Sequence, residues 1–276
     1  MGYIEVFLDE KRLSLSQNTI KQYKNILNGF QRFCNKPPES ITRQEIIRYL
    51  NHLMFEKELS KAYVSNVMSI IKSFYTFLNE NGYMKANPAK GISQIKKDKK
   101  APIYLTQDEM ALLIKTAIAP RDGLIVKMLY ATGVRVSELV NIKKRDVDLE
   151  RGTIKVFGKG AKERAVLIPD TLRLQLREYC EGLKDDDRLF DLSVRTVERS
   201  IKAIAKRAGI DKKVTPHKLR HSFATHMLQN GGNVVAIQKL LGHTSLNTTQ
   251  IYTHYSVDEL RDMYIHTHPM GDGSNE

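Results

Sequence analysis

Apolar residues in the first part of the chain recur at spacings of three and four, the period of helices that bury one face. Ile4, Phe7 and Leu8 open the pattern, and Ile20, Tyr23, Leu27 and Phe30 continue it after Ser14 and Ser16. Ile46, Ile47, Leu50 and Leu53 follow Thr42, while Val64, Val67, Ile71, Phe74 and Leu78 follow Ser60. Thr42 with Glu45 three positions on predicts a capping box, and Pro37-Pro38, Gly82 and Asn87-Pro88 punctuate the runs. The pattern predicts a bundle of four or five short helices over residues 1–90. The stretch from Ser93 to Lys100 holds Lys96, Lys97, Lys99 and Lys100 and no large apolar cluster, so residues 91–103 read as a basic, exposed linker.

The remainder, residues 104–276, alternates helical and strand patterns. Thr106 and Glu109 form a second capping box ahead of a helix over Met110–Ile118. Asp122–Ala131 is apolar on every side, which predicts a helix buried in the core. Gly133 closes it, and Arg135 follows within Ala-Thr-Gly-Val-Arg-Val-Ser-Glu-Leu, ahead of an amphipathic turn over Val136–Val140. Packing on both sides of that junction would preorganise its guanidinium for a phosphate; the plainer alternative is a surface pair with Glu138. Thr153–Phe157 and Ala165–Ile168 read as a β-hairpin around Gly-Lys-Gly-Ala-Lys-Glu-Arg, which carries Lys159, Lys162 and Arg164. Further helices are expected over Leu172–Leu183 and Val194–Ala208, the latter offering Arg195, Arg199, Lys202, Lys206 and Arg207 to a polyanion. Asp185-Asp186-Asp187 lacks the spacing of a metal loop and reads as a solvated acidic turn. The fold class is thus mainly α with a small β-hairpin or sheet.

Chemistry concentrates between Thr215 and Tyr252. Thr215 as N-cap, Pro216 at the first helical position and Asn230-Gly231-Gly232 as a stop delimit one helix. His217 and Arg220 lie three apart on it, with Leu219, Phe223 and Met227 as its packing stripe. A second helix over Val234–Leu241, capped by Asn233 and ended by Gly242, delivers His243, and Tyr252 stands nine residues further on. Imidazoles, guanidiniums and a phenol in this order suit attack on a phosphodiester, the cations holding non-bridging oxygens while the phenol supplies the nucleophile. A metalloenzyme built on His217, His221, His226 and His243 is the rival reading, but no Glu of the His-Glu-x-x-His type accompanies them.

Charge agrees with a polyanionic partner. The 276 residues hold 44 Lys and Arg against 31 Asp and Glu, a net charge of +13. Residues 1–100 carry 17 basic and 9 acidic side chains and residues 101–276 carry 27 and 22, so the N-terminal part is the more basic. Cys34 and Cys180 are distant and outside any Cys-x-x-Cys spacing, which fits a reducing compartment. No run approaches the roughly 18 apolar residues of a membrane span, and the expected location is the cytoplasm.

The segments His-Lys-Leu-Arg-His-Ser-Phe-Ala-Thr-His, Leu-Gly-His and Ile-Tyr-Thr-His resemble the signature of the tyrosine recombinases, with wording close to the Xer branch. Ala-Thr-Gly-Val-Arg-Val-Ser-Glu-Leu is similar to the box supplying that family's first catalytic arginine, and Gly-Lys-Gly-x-Lys-x-Arg to its hairpin lysine motif. The resemblance implies a SAM-like core-binding clamp over 1–90 and an α+β catalytic domain over 104–276. It implies that Tyr252 attacks DNA to form a 3′-phosphotyrosyl bond. His217 would be the base, Lys159 the acid for the departing 5′-oxygen, and Arg135, Arg220 and His243 the oxygen-holding groups. It further implies a double-stranded recombination site as partner, a tetramer on synapsed DNA with itself or a paralogue, and no metal or nucleotide cofactor. Chromosome-dimer resolution, integration of a mobile element and type IB topoisomerase activity remain alternatives. Lys96, Lys97, Lys99, Lys100, Lys162 and Arg164 are the expected DNA contacts. The segment Val257–Ile265, too short for a helix stable alone, must dock: on its own domain or, as the resemblance implies, on a neighbouring subunit.

Overall fold

The computed structural model describes residues 2–96, 103–158, 163–242 and 256–271, and the chain falls into two compact units, Met1–Ala101 and Pro102–Glu276. In the first, helices α1 (Tyr3–Arg12), α2 (Gln17–Cys34), α3 (Arg43–Asn51) and α4 (Lys61–Glu80) form a bundle. Their starts follow side-chain capping: Ser16 accepts from the Thr19 N–H, Ser60 from the Tyr63 N–H, and Thr42 with Glu45 closes a reciprocal box. The apolar stripes meet in one core around Phe7, Leu27, Phe30, Ile46, Phe74 and Leu78, with α4 packed against the other three helices. One feature escapes a 3.6-residue reading, a π-helical turn at His52–Glu56 that continues α3. Two cations of this unit serve its own backbone. Arg43 donates to the carbonyls of Lys90 and Gly91, both at 3.1 Å, and Lys72 to that of Ile92 at 2.5 Å. The start of the basic stretch is thereby tied to the bundle.

The second unit contains α5 (Gln107–Thr116), α6 (Pro120–Thr132), α7 (Val136–Leu139), a sheet, α8 (Asp170–Tyr179), α9 (Val194–Arg207), α10 (Pro216–Gln229), α11 (Val234–Leu241) and α12 (Val257–Thr267). The sheet is antiparallel in the order β1 (Val147–Asp148), β2 (Thr153–Phe157), β3 (Glu163–Leu167), with Val156 opposite Arg164 and Phe157 opposite Glu163. The expected hairpin is present, its second strand starting at Glu163 and not at Ala165, so that Arg164 lies in the strand; β1 is too short to leave a period-2 signal. Helix α6, buried over most of its length apart from its first turn and Lys127, which reaches Gln175, occupies the centre and packs against α5, α8, α9 and α10. Helix α8 ends at Tyr179, earlier than its pattern suggests, because the chain turns through Cys180, whose carbonyl accepts the Leu183 N–H.

The acidic turn is not simply solvated. Asp186 pairs with Lys143 at 2.9 Å and Arg145 at 2.7 Å, Asp185 lies 3.7 Å from Lys144, and the backbones of residues 144 and 145 donate to the carbonyls of Asp187 and Asp185. In this single chain the C-terminal helix packs on its own unit. Tyr264 of α12 is buried and its hydroxyl donates to the Ala131 carbonyl at 3.0 Å, while the Asn230 side chain donates to the Thr267 carbonyl at 2.8 Å. His268, just beyond, is buried in a stack on Tyr264. Its Nδ1 accepts from the Met270 N–H, so the proton sits on Nε2, which faces the Tyr130 carbonyl at 3.2 Å. Burial lowers the His268 pKa to about 3.

Candidate active site

Arg135, Glu138, Arg164 and Arg220 form one charged cluster. Arg135 is the N-cap of α7, placed there because Gly133, at φ +59°, turns the chain out of α6. A Cβ on Gly133 would lie 2.8 Å from Leu241 Cδ2 and 2.9 Å from Phe223 Cδ1, so this turn tolerates only glycine. The Arg135 backbone N–H and Nη1 both donate to Glu138, at 2.8 and 2.9 Å, and the Arg135 side chain remains 43 % exposed. The surface pair weighed from sequence does exist, but its carboxylate is not at the surface: the Glu138 side chain is 3 % exposed. Arg164, from β3, completes it with a two-pronged contact, Nη1 to Oε1 at 2.9 Å and Nη2 to Oε2 at 2.8 Å. Burial by itself would raise the Glu138 pKa, yet the donors on Arg164 and Arg135 overcome this and bring it down to about 2. Glu138 is the residue that sequence reading undervalued. Its signal was its place three positions after Arg135, visible only as a local pair.

Arg220 does not stand on an exposed face beside His217. It is 6 % exposed, next to fully buried Leu219, and its Nη1 and Nη2 donate to the carbonyls of Gly133 at 2.5 Å and Leu241 at 2.7 Å. One guanidinium thus joins the turn before Arg135 to the end of α11. Burial, then repulsion from Arg135 and Arg164, lowers its pKa to about 10, which leaves it charged at neutral pH. Three guanidiniums against one carboxylate give this patch a surplus of positive charge suited to an anion.

His217 projects from the first turn of α10 and is exposed. The other histidines of α10 turn inward. His221 and His226 both lie edge-on to Tyr104, at ring-centroid distances of 6.2 and 6.0 Å, and His226 Nδ1 is 2.7 Å from the Tyr130 hydroxyl. Burial lowers both pKa values, with His217 adding to the effect on His221. Packing beneath the helix therefore accounts for two of the four histidines of the metal reading. Among the described residues no group of three or more His, Cys, Asp and Glu could hold a metal.

Lys159, Lys162, His243 and Tyr252 lie outside the described residues, as do Lys97, Lys99 and Lys100. Lys96 is exposed at the end of the first unit's described stretch, and the five basic residues singled out on α9 are all exposed. Arg164, one of the expected DNA contacts, has its guanidinium paired with the buried Glu138 carboxylate.

A helical N-terminal unit and a mainly helical second unit with a three-stranded sheet and an arginine-rich patch define the class, and similarity to known proteins agrees. Residues 103–259 match the phage integrase family and residues 5–83 the N-terminal SAM-like domain of phage integrases. The chain is 36 % identical to the tyrosine recombinase XerC of Oceanobacillus iheyensis over 99 % of its length and 97 % of the relative's. Among solved structures it resembles the XerA recombinase, at 37 % identity and a TM-score of 0.51 over 95 % of this chain and 97 % of that one. It also resembles the XerH site-specific recombinase in a post-cleavage complex with a palindromic difH substrate, at 25 % identity and a TM-score of 0.71 over 94 % and 93 %. The chain belongs to the phage integrase family and is a tyrosine recombinase, an enzyme of site-specific DNA recombination. No helix among the described residues is long and apolar enough to cross a membrane.

Proposed function

We propose that this recombinase resolves chromosome dimers in the cytoplasm by exchanging strands between two copies of a double-stranded DNA site held in a tetramer, with itself or with a paralogue. Tyr252 Oη attacks the scissile phosphorus in line and passes its proton to His217. The bond to the 5′-oxygen breaks, that oxygen takes a proton from Lys159, and a 3′-phosphotyrosyl linkage remains. The freed 5′-hydroxyl of a partner strand then attacks the linkage and restores both the phosphodiester and the phenol. Bond number is conserved at each step, so no nucleotide is consumed. Arg135, Arg220 and His243 hold the non-bridging oxygens, and Glu138 holds Arg135. The observation that supports this most directly is Arg220, buried and bonded to the carbonyls of Gly133 and Leu241. It draws the Arg135 turn and the residues leading into His243 to one place.

Covalent capture tests the reading. The protein is incubated with DNA of its source chromosome, denatured and recovered, and the attached ends are sequenced. The expected result is one locus, with the adduct on Tyr252 and none formed by Tyr252→Phe, which still binds DNA. Attachment to the nearby Tyr255, or no adduct at all, refutes the assignment; ends that map to the termini of a mobile element would favour integration instead.

A further inference from the structure

Arg164 lies five positions after Lys159 in the hairpin motif, where sequence reads it as one more phosphate contact. Its position says otherwise. The side chain is 15 % exposed, and its two terminal nitrogens clasp both oxygens of Glu138, the carboxylate that also takes the Arg135 backbone N–H and Nη1. Arg135 holds both carboxylate oxygens, its backbone N–H on Oε2 and its Nη1 on Oε1; the planar fork of Arg164 grips the same two oxygens from β3 and adds a second, rigid constraint on the plane of the group, and with it on the direction of the Arg135 guanidinium. Sharing one carboxylate between two guanidiniums also leaves Arg135 with positive charge to offer a phosphate.

The stem of the same residue touches a second part of the site. Gly242, at φ +67°, lies so close that a Cβ on it would stand 2.7 Å from Arg164 Cδ and 2.9 Å from Nε. The preceding carbonyl, that of Leu241, is held by Arg220 from the other direction. Leu241-Gly242, the end of α11 and the lead into His243, is therefore confined between two arginines.

We infer that Arg164 is a positioning residue of the recombinase and makes no contact with DNA: it orients Arg135 through Glu138 and confines the chain at Gly242. The inference rests on the catalytic reading above. Its test uses a nicked duplex carrying the site recovered by covalent capture. Three quantities are measured: the rate of adduct formation at saturating DNA, the DNA concentration for half-saturation, and the salt dependence of binding. The proteins are wild type, Arg164→Lys, Arg164→Ala, Glu138→Ala and the double alanine variant.

Arg164→Ala is expected to slow adduct formation about 100-fold at saturating DNA, the scale of a misplaced catalytic group. Half-saturation should stay within about twofold, with an unchanged salt slope. Arg164→Lys, which keeps the charge and loses the fork, should lose roughly tenfold, and it carries the test if the alanine variant does not fold. In the double variant the second substitution should cost less than about threefold more, because both residues act through one carboxylate. A saturated rate like wild type, with weaker binding and a salt slope lower by about 0.9, overturns the inference in favour of a phosphate contact. Losses that multiply in the double variant overturn it as well. Absence of an adduct with the wild-type protein is a failure of the catalytic reading; equal cutting by wild type and Arg164→Ala refutes the positioning role alone.

Discussion

Replacing Glu138 by Gln removes the charge that two guanidiniums share while keeping the size of the side chain. The cost follows from the pKa. A carboxyl held near 2 instead of its usual 4.5 is stabilised by roughly 2.5 units, which at 1.36 kcal/mol per unit is about 3 kcal/mol at neutral pH. Gln also turns an N–H donor towards arginine donors, so the loss should be no smaller. The sign is that of a depressed acid. The stabilisation is fully present above pH 4.5, where the carboxyl is ionised in both states, and is lost as pH falls through 2, below which both are protonated. Wild type should therefore exceed Glu138→Gln by about 3 kcal/mol at pH 7, with the gap narrowing by roughly 1 kcal/mol at pH 4. Buried His268, whose pKa is lowered to about 3, also weakens the fold as pH falls below 6.5, but it does so in both proteins and cancels in the difference.

Cys180 provides the assay. It is free and buried in the second unit, whereas the other cysteine, Cys34, is buried in the first. Reaction of Cys180 with 4,4′-dithiodipyridine, which labels thiols in acid, reports unfolding of the second unit within the full chain. Urea titrations at pH 7 and pH 4, read by peptide mass at Cys180, give the two differences. A Gln variant as stable as wild type, or a gap independent of pH, refutes the buried-carboxylate argument.

Lys159→Ala should slow cleavage of an ordinary 5′-oxygen linkage far more than that of a 5′-thiolate linkage, whose leaving group needs no proton; equal losses in single-turnover assays sink the general-acid role. Neutralising Lys96, Lys97, Lys99 and Lys100 together should lower the slope of log affinity against log salt without altering site preference, and an unchanged slope means that the linker does not touch phosphate. Tyr264→Phe loses the buried hydrogen bond to Ala131 and should cost about 1 kcal/mol, roughly 2–4 °C in the second unit's melting temperature. A variant that melts with wild type would show that α12 is not held there by this hydroxyl.

Sequence by itself determined the elements and their order. Caps, stop residues and apolar periods act over three or four positions, so Thr42, Ser60, Thr106, Thr215 and Asn233 announced their helices, and Gly133 and Gly242 their ends. The chemistry-bearing motifs could likewise be read in order, because each is a short run of residue types. What each long charged side chain reaches was left to the tertiary structure. Arg220, three residues from His217 and so on the same nominal face, is buried because the Gly133 and Leu241 carbonyls converge on it. Arg164 is drawn from the surface by the buried charge of Glu138, 26 positions away. Arg43 and Lys72 turn to backbone carbonyls, and the Asp185–Asp187 turn finds Lys143–Arg145. For Arg220 and Arg164 the reason is that an unpaired buried carbonyl or carboxylate costs more than an exposed cation gains from water, and which acceptors become buried depends on contacts far apart in sequence.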